Sequence, residues 1–487
     1  MEKYIYINEK DNVAVALAEL KTGEEYMGVT LTTDIPEKHK FALTDIKEGE
    51  YVVKYGFPIG VAKENIKKGS HIHSHNLKTA LTEHAEYAFK GNTEYRKVDT
   101  DITFNGYLRH DGRVGIRNRL LVIPTVGCAN MAVKNIAETA KKELGIDGIQ
   151  YFNHPYGCSQ LGDDAEYTAK CISALCNHPN VGGALLVSLG CENNNLQYME
   201  KYMRACDKTR IRTLNMQECE DEISSGVKIV EEIYNIIKND KRTQQPVSKL
   251  TLGFKCGGSD GFSGITANPL CGTLCDRLTE NGAKMILTEV PEMFGAETRL
   301  LDRAENREVF NKGVNLINGF KDYFTAHGQT VYENPSPGNK AGGITTLEEK
   351  SLGCITKGGF STVTDVLDLY EPCKKEGLSL LWGPGNDIVS TTNLASSGAV
   401  MILFTTGRGT PLGAPVPTVK ISTNTELSVK KKNWIDFNAG TLLDGESFED
   451  ATDRLLNYIL KVANGEKTLN EQNGIEEIAV FKDGITL

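Results

Sequence analysis

The sequence lacks the features that carry a chain into a membrane or onto a nucleic acid. No apolar run reaches the about 18 residues that indicate a membrane-spanning helix. The first residues, MEKYIYINEKDNVAVAL, have no basic stretch before an apolar one, so we expect no signal peptide and a cytoplasmic protein. The net charge is −10 without a basic tract, so we expect neither a nucleic-acid nor a membrane partner. A locally positive site for an anionic substrate is still compatible with this charge.

Several catalytic and cofactor fingerprints are also missing. The chain has no Gly-x-Ser-x-Gly, no P-loop and no Gly-x-Gly-x-x-Gly after a strand, which argues against serine hydrolases, P-loop enzymes and ordinary Rossmann dehydrogenases. Its 12 cysteines include no Cys-x-x-Cys pair, the spacing of zinc ribbons and ferredoxins. In a reducing compartment we expect no disulfide framework, so the thiols are either buried or chemically used.

The length and the local patterns predict three domains in 487 residues. Residues 1 to about 80 have short strands and Gly turns, which predict a small all-β module. Residues 81–105 are polar and predict a linker, and we place the end of the first domain within it, at residue 95. Residues 96–245 and 246–487 each repeat an apolar run, a Gly turn and an amphipathic helix, as in RLLVIPTVGCAN before MAVKNIAETAKKELG. We therefore expect an α/β protein with two Rossmann-like α/β domains after the β module.

The loops after the predicted strands carry Gly together with Cys, Asn, Asp, Glu or Arg. In open α/β sheets, ligands bind at the carboxyl ends of the strands. One such loop is equally typical of an ordinary turn, but five or six favour a binding edge.

The segment HIHSHNL places His71, His73 and His75 at alternating positions. On a strand, all three side chains would share one face, and neutral imidazoles are common ligands of iron and zinc. The alternative is an exposed strand edge.

Four cysteines lie where strands are predicted to end: Cys128, Cys158, Cys191 and Cys256. They could bind one metal ion or cluster together. The alternative is that they pack against the sheet.

Loop carboxylates and cations complete the candidate set. Glu192, Asp260 and Glu289 are candidates for a base that removes a proton next to a carboxylate, a reaction in which a divalent cation stabilises the enolate. Polar side chains suited to a substrate carboxylate or hydroxyl, or alternatively to surface charge, are Arg117, Asn118, Asn193, Lys340 and Arg408.

Long motifs across the whole chain resemble one family. HDGRVGIRNR, HPYGCSQLGDD, LGCENN, KCGGSDGFSGITANP, TEVPEMFGAE, GNKAGG and TTGRGTPLG are similar to the altronate and galactarate dehydratase family. The amino-terminal module resembles its SAF (β-clip) domain, with the HxHN sequence at residues 73–76.

The resemblance implies a ferrous-iron-dependent dehydration of a C6 sugar acid to a 2-keto-3-deoxy acid. HPYGCSQLGDD and PTVGCAN are more similar to the altronate branch, which implies D-altronate as substrate and 2-dehydro-3-deoxy-D-gluconate as product. Galactarate dehydration, sulfolactate sulfo-lyase activity and a non-catalytic sugar-acid sensor remain alternatives.

The expected site forms where the β module meets the α/β loops, in a chain that could form a homo-oligomer. The ion, Fe²⁺ or another divalent metal, is expected to involve His73, His75, Cys128, Cys158, Cys191 and Cys256. The base that removes the C2 proton is either a histidine of the same motif or a loop carboxylate; the candidates for catalysis are His73, His75, Glu192, Asp260 and Glu289. Arg117, Lys340 and Arg408 are expected to hold the distal end of the substrate.

Overall fold

A computed structural model describes residues 3–81, 85–98, 101–203 and 206–487. Within these residues, no helix combines the length and the apolarity that crossing a bilayer requires.

The amino-terminal part is β-rich, as predicted. Its strands form two antiparallel sheets, β1-β2-β5-β8 and β6-β7-β9, and a hairpin of β3 and β4. Small and branched apolar side chains fill the space between them, because alternate residues of short strands point inward. The strands are β1 (Tyr4–Ile5), β2 (Val13–Ala16), β3 (Glu25–Tyr26), β4 (Val29–Thr30), β5 (Lys40–Ala42), β6 (Tyr51–Lys54), β7 (Phe57–Ala62), β8 (His71–Ile72) and β9 (Leu77–Lys78).

The middle part contains a four-stranded parallel sheet in the order β13-β12-β14-β15. Its two central strands, β12 and β14, are nearly continuous apolar runs because helices cover the sheet. The elements are β10 (Thr103–Leu108), β11 (Val114–Gly115), β12 (Arg119–Pro124), α1 (Asn130–Leu144), β13 (Ile149–Tyr151), α2 (Asp163–Cys176), β14 (Val181–Ser188), α3 (Leu196–Met199), β15 (Ile211–Asn215), α4 (Glu222–Ile237) and β16 (Thr243–Pro246).

The carboxyl-terminal part is built on a seven-stranded parallel sheet in the order β19-β20-β18-β17-β21-β22-β23. Apolar residues of the two parallel sheets and of α2 and α10 share one core. The elements are β17 (Thr251–Cys256), α5 (Ala267–Glu280), β18 (Lys284–Leu287), α6 (Glu297–Leu301), α7 (Arg307–Ala326), α8 (Pro337–Ala341), α9 (Leu347–Cys354), β19 (Val363–Leu367), β20 (Gly377–Leu381), α10 (Asp387–Ser396), β21 (Met401–Thr406), β22 (Thr418–Ser422), α11 (Thr425–Lys430), β23 (Phe437–Asn438), α12 (Phe448–Ala463) and α13 (Leu469–Gln472).

The segment predicted as a linker, residues 81–105, lies against the carboxyl-terminal part where the structure describes it. The Tyr87 hydroxyl donates to Glu297 over 2.6 Å, and the Tyr95 hydroxyl donates to the Thr279 carbonyl over 2.6 Å. The ring of Phe89 packs on Phe310. A free polar linker is therefore the wrong description, because its scattered aromatic side chains bury against the neighbouring domain. Residues 82–84 and 99–100 of this segment lie outside the described residues.

A buried ion triad docks the β module on the carboxyl-terminal part. Lys40 and Lys54, on β5 and β6, each place Nζ 2.9 Å from one carboxylate oxygen of Glu349 on α9. All three side chains are at most 2% exposed. Lys40 also donates to Thr345 and to the Gly343 carbonyl, so the buried ammonium group is well hydrogen-bonded.

We expect Glu349→Gln to weaken this docking. The substitution leaves two buried ammonium groups without a counter-charge, and breaking a buried pair in this way costs about 3–5 kcal/mol. The midpoint of thermal or urea unfolding should fall accordingly. The control Glu19→Gln removes the partner of Lys21 in an exposed pair and should leave the midpoint unchanged. Equal midpoints for both variants would contradict a docking role for the triad.

The stability supplied by Glu349 should depend on pH. Burial acts to raise the pKa of Glu349, but Lys40 and Lys54 outweigh it and lower that pKa to about 2. An unfolded Glu titrates at about 4.3, so the contribution is complete above that pH and is lost as the pH falls toward 2. The difference in unfolding free energy between wild type and Glu349→Gln should therefore shrink over this range. If this difference in unfolding free energy stayed constant down to pH 2, the lowered pKa of Glu349 would not contribute to stability.

Candidate active site

Four histidines cluster on the face of the β module that meets the carboxyl-terminal part. The predicted strand through HIHSHNL ends at Ile72, and residues 73–76 form a turn that is closed by the Leu77 amide donating to the His73 carbonyl. The turn still brings the rings together. Ring centroids are 4.9–5.6 Å apart along the contacts that join His39, His71, His73 and His75.

Burial keeps most of this cluster uncharged. Burial and the neighbouring histidines lower the pKa of His39 to about 4 and that of His71 to about 3. Burial also lowers the pKa of His73. Nδ1 of His39 lies 2.9 Å from Nε2 of His71, and two neutral rings can share one proton across that distance. At neutral pH, these rings therefore offer free electron pairs to a proton or a metal ion.

The short helix α8 is the point on which the predicted loop residues converge. Nε2 of His73 donates to the Lys340 carbonyl over 2.9 Å, because a carbonyl can only accept. The guanidinium of Arg408 donates to the Gly338 carbonyl over 3.1 Å. The amide of Gly261, next to Asp260, donates to the Gly342 carbonyl over 2.7 Å. Three predicted residues, His73, Arg408 and Asp260, thus lie around the helix that carries a fourth, Lys340.

Lys38 of the β module faces Asp260 at this junction. Its Nζ lies 3.5 Å from a carboxylate oxygen of the buried Asp260. Burial raises the pKa of Asp260, and Lys38 opposes that shift. Lys38 itself has a φ of 74°, and a Cβ at Gly261 would lie only 2.1 Å from its carbonyl oxygen. The close approach therefore requires glycine there, and strained backbone of this kind concentrates at functional sites.

A charge network lies at the end of β17, and all of its members except the half-buried Asp387 are buried. Lys255 contacts Glu289 and, over 2.8 Å, Asp387, while Lys357 lies 3.0 Å from the second oxygen of Glu289. Burial acts to lower the pKa of Lys255, but the facing carboxylates outweigh it and raise that pKa. Glu289 has a φ of 70°, unusual for a non-glycine residue. Both of its oxygens are engaged, so it holds the lysines and the Cys256 amide in place.

Next to this network, two thiols and a carboxylate form a group with metal-ligand character. Sγ of Cys256 and Sγ of Cys354 each lie 3.0 Å from Glu292, and the two sulfurs are 3.5 Å apart. Among the described residues, this is the one group of three or more ligand atoms within 4.8 Å of one another. Lys350 already pairs with Glu292 over 2.7 Å. The hydrogen bond with Cys256 and burial raise the pKa of Cys354 well above its usual value.

Arg117 and Asn118 are used to hold the protein together. All five N–H groups of the Arg117 guanidinium donate hydrogen bonds, to Glu471 and to backbone carbonyls that include those of Val462 and Glu466. Asn118 accepts from Arg109 and donates to a carbonyl at the end of α4. Substrate binding by either residue would require breaking these bonds.

Glu192 and Asn193 lie on the loop after β14. The Glu192 carboxylate accepts from the hydroxyls of Ser188 and Thr125 and from the amide of Gly190, which fixes the loop. Asn193 accepts from the Ser159 amide. Cys128, Cys158 and Cys191 lie on this same edge of the middle sheet and are exposed, whereas Cys256 is buried in the other group.

Several residues of the site were not predicted from the sequence, and some gave a visible signal. Lys255 interrupts the apolar strand TLGFKC, and Lys40 sits in a buried strand beside His39. A lysine inside a buried strand needs a partner, so these positions pointed to carboxylates elsewhere. Cys354 and Lys357 had no such signal, because only the fold brings them to β17.

Comparison with known proteins identifies the family of the chain. Family models match three consecutive stretches: an altronate/galactarate dehydratase SAF domain over residues 2–80, a D-galactarate dehydratase/altronate hydrolase second domain over 106–238, and a D-galactarate/altronate dehydratase carboxyl-terminal domain over 247–486. The chain is 48% identical to altronate dehydratase of Bacillus subtilis (strain 168) over 100% of both chains.

This chain belongs to the altronate/galactarate dehydratase family. It is also 47% identical to altronate dehydratase of Escherichia coli (strain K12), over 100% of both chains. The L-threo-forming galactarate dehydratase of the same organism is 34% identical, over 98% of this chain and 96% of its own. The identity is thus higher to the two altronate dehydratases.

We expect Lys255→Met to collapse the buried charge network. Asp387 and Glu289 would lose their shared ammonium group, and removing one member of a buried ion pair costs about 3–5 kcal/mol. The unfolding midpoint should fall. The matched control Lys97→Met breaks the exposed contact with Glu376 and should not move it. A stable Lys255→Met variant would show that the network is not a structural requirement.

Proposed function

We propose that this chain dehydrates D-altronate to 2-dehydro-3-deoxy-D-gluconate and water. The observation that carries the proposal is the junction between the β module and α8, where neutral imidazoles stand among cations. Full-length similarity to altronate dehydratases supports the choice of substrate.

The proposed reaction needs a base for the C2 proton and a cationic pocket for the carboxylate. Because burial lowers the pKa values of His39 and His71, these rings are neutral at pH 7 but are weak bases, which suits them to facing a cation rather than to taking the C2 proton. We assign the base to His75, the exposed imidazole of the cluster. Loss of the C3 hydroxyl gives an enol, which becomes the 2-keto acid. The proton taken at C2 can be returned to the leaving hydroxyl by the same cluster.

The cations at the junction suit the acid end of the substrate. Lys38 and Arg408 lie beside α8 and Lys340 is carried on it, and both ammonium and guanidinium groups bind carboxylates well. Asp260 pairs with Lys38 and orients it. Glu289 is a positioning residue in this proposal, since its carboxylate is occupied by lysines. Glu192, Asn193, Arg117 and Asn118 would act through the shape of the middle part.

The donor type of the histidine cluster suits a ferrous ion or another divalent cation, and we propose that His73 contributes while His75 acts as the base. Within the described ranges, no three ligand atoms of this cluster lie within 4.8 Å of one another, so an ion would draw the rings closer together. Such an ion would supply a Lewis acid that polarises the substrate carboxylate and hydroxyl. The group of Cys256, Glu292 and Cys354 is the alternative site, at which an ion would have to displace Lys350 from the Glu292 carboxylate.

The finer architecture is part of the proposal. We propose boundaries at residues 1–95, 96–245 and 246–487, with both parallel sheets Rossmann-like, in a cytoplasmic homo-oligomer. Parallel strand order with helices packed on the sheets supports the topology. Light scattering of the purified chain would measure the number of subunits.

Anaerobically purified protein should form a 2-keto acid from D-altronate when ferrous iron is present. Galactarate and sulfolactate, assayed side by side with and without iron, should turn over more slowly. Release of sulfite from sulfolactate as the main reaction would favour the sulfo-lyase alternative. Binding of a sugar acid with no turnover at any metal loading would favour a sensor and would overturn the proposal.

His73→Ala should lower kcat by about 10²–10⁴-fold, because it removes a proposed ligand of an ion that would contribute several kcal/mol as a Lewis acid. It should also lower the bound metal, without changing the circular dichroism spectrum or the unfolding midpoint. His110→Ala is the control, because His110 is exposed and lies in the middle part. Wild-type activity in His73→Ala would show that His73 is part of an exposed strand end and has no role in the reaction.

A further inference from the structure

One tetrapeptide pattern occurs three times at the carboxyl edge of the middle sheet. Gly-Cys-x-Asn/Gln occupies residues 127–130, 157–160 and 190–193, as GCAN, GCSQ and GCEN. The three copies follow β12, β13 and β14, which are adjacent strands of the parallel sheet. The carboxyl ends of adjacent parallel strands meet at one edge, so the three cysteines stand on neighbouring loops.

The last residue of each copy ties its loop down. Asn130 donates to the His154 carbonyl over 3.0 Å, Gln160 accepts from the Gly157 amide over 2.9 Å, and Asn193 accepts from the Ser159 amide over 2.9 Å. Two of these bonds join different loops. The loops therefore form one cross-linked surface rather than three independent turns.

Backbone contacts bring the cysteine-bearing turns into direct contact. The Gly127 amide donates to the Tyr156 carbonyl over 2.8 Å, and the Asn194 amide donates to the Gly157 carbonyl over 2.9 Å. A Cβ at Gly157 would lie 2.1 Å from the Thr125 carbonyl oxygen, and its φ is 103°, so only glycine fits. Ser159, directly after Cys158, has a φ of 57° and is a strained position of the kind that marks functional sites.

The thiols of this edge are the exposed ones of the protein. Of the twelve cysteines, all of which lie in the described part of the chain, Cys128, Cys158 and Cys191 are exposed and the other nine are buried or half-buried. Exposed free thiols are prone to oxidation, so three of them on touching loops indicate ligands rather than packing residues.

We infer that Cys128, Cys158 and Cys191 together ligate an iron–sulfur cluster, at a site separate from the histidine cluster. Thiolates are the ligands of such clusters. A single tetrahedral ion, with bonds of about 2.3 Å, would hold its sulfurs about 3.8 Å apart. These three sulfurs do not all lie within 4.8 Å of one another, since within the described ranges only the group with Cys256 meets that condition. A polynuclear centre holds its thiolates farther apart than a single ion does, which is why we infer a cluster on these neighbouring loops.

The test is anaerobic reconstitution of the full chain with ferrous iron and sulfide. Iron and acid-labile sulfide should be bound in equal amounts, with visible absorption that dithionite bleaches. Cys128→Ser, Cys158→Ser and Cys191→Ser should each lose nearly all of the bound sulfide. Cys206→Ser and Cys373→Ser are matched controls, because both thiols are half-buried and lie away from this edge, before β15 and in the carboxyl-terminal part, and they should keep the wild-type content.

A second measurement avoids dependence on the folding of the variants. In native protein stripped of metal, a thiol reagent should modify three cysteines rapidly, and peptide mapping should identify them as Cys128, Cys158 and Cys191. Reconstitution should protect all three together. Absence of bound sulfide, binding of one metal ion without sulfide, or equal loss in the control variants would each overturn the inference.

The outcome is independent of the proposed dehydration. Sulfide content and thiol protection report on the three-cysteine edge whether or not D-altronate is turned over. Failure of the dehydratase assay with an intact cluster would reject the proposed function alone. Turnover of D-altronate by a chain that binds no sulfide would reject only the cluster.

Discussion

The docking of the β module through one buried carboxylate is the constraint on which the candidate active site depends. Glu349 neutralises two lysines from different strands of the module, and none of the three side chains reaches water. Charges buried in this way tolerate little displacement, because each lost contact leaves an unpaired ion. The triad therefore fixes the position of the module, and with it the position of the histidines that follow β8 against α8.

Buried charge is also the means by which the carboxyl-terminal loops are held. Lys255, Glu289 and Lys357 form a continuous network at the end of β17, and Asn339 contacts Lys350 to connect it to α8. Loops at the end of a parallel sheet are exposed to water on one side and would otherwise be mobile. Ion pairs beneath these loops restrict their motion. A site that orients a small polyhydroxy acid needs such rigid loops.

The middle sheet presents a second and different edge. Its loops are tied by backbone and amide hydrogen bonds rather than by buried ions, and they leave thiols rather than imidazoles facing outward. Cysteines that the sequence suggested as one ligand set with the histidines thus divide into an exposed trio and the buried Cys256. The division follows the domains: Cys256 ends a strand of the seven-stranded sheet, whereas the trio ends strands of the four-stranded one.

The sequence by itself determined the local elements and the family. Strand runs, Gly turns and amphipathic helices are short-range patterns, so the β-rich start and the parallel sheets followed from them, and so did the long motifs. It also placed His73, Lys340, Arg408 and Asp260 among the candidates. Only the tertiary structure decided which candidates meet. Arg117 was predicted as a substrate ligand, but its guanidinium donates to Glu471 instead. Glu471 lies more than 350 residues away in the sequence, so the local spacing of the arginines could not indicate this partner. Lys38, His39 and Cys354 are part of the site only because the fold brings distant segments into contact. A local sequence pattern does not indicate which residue lies across such a contact.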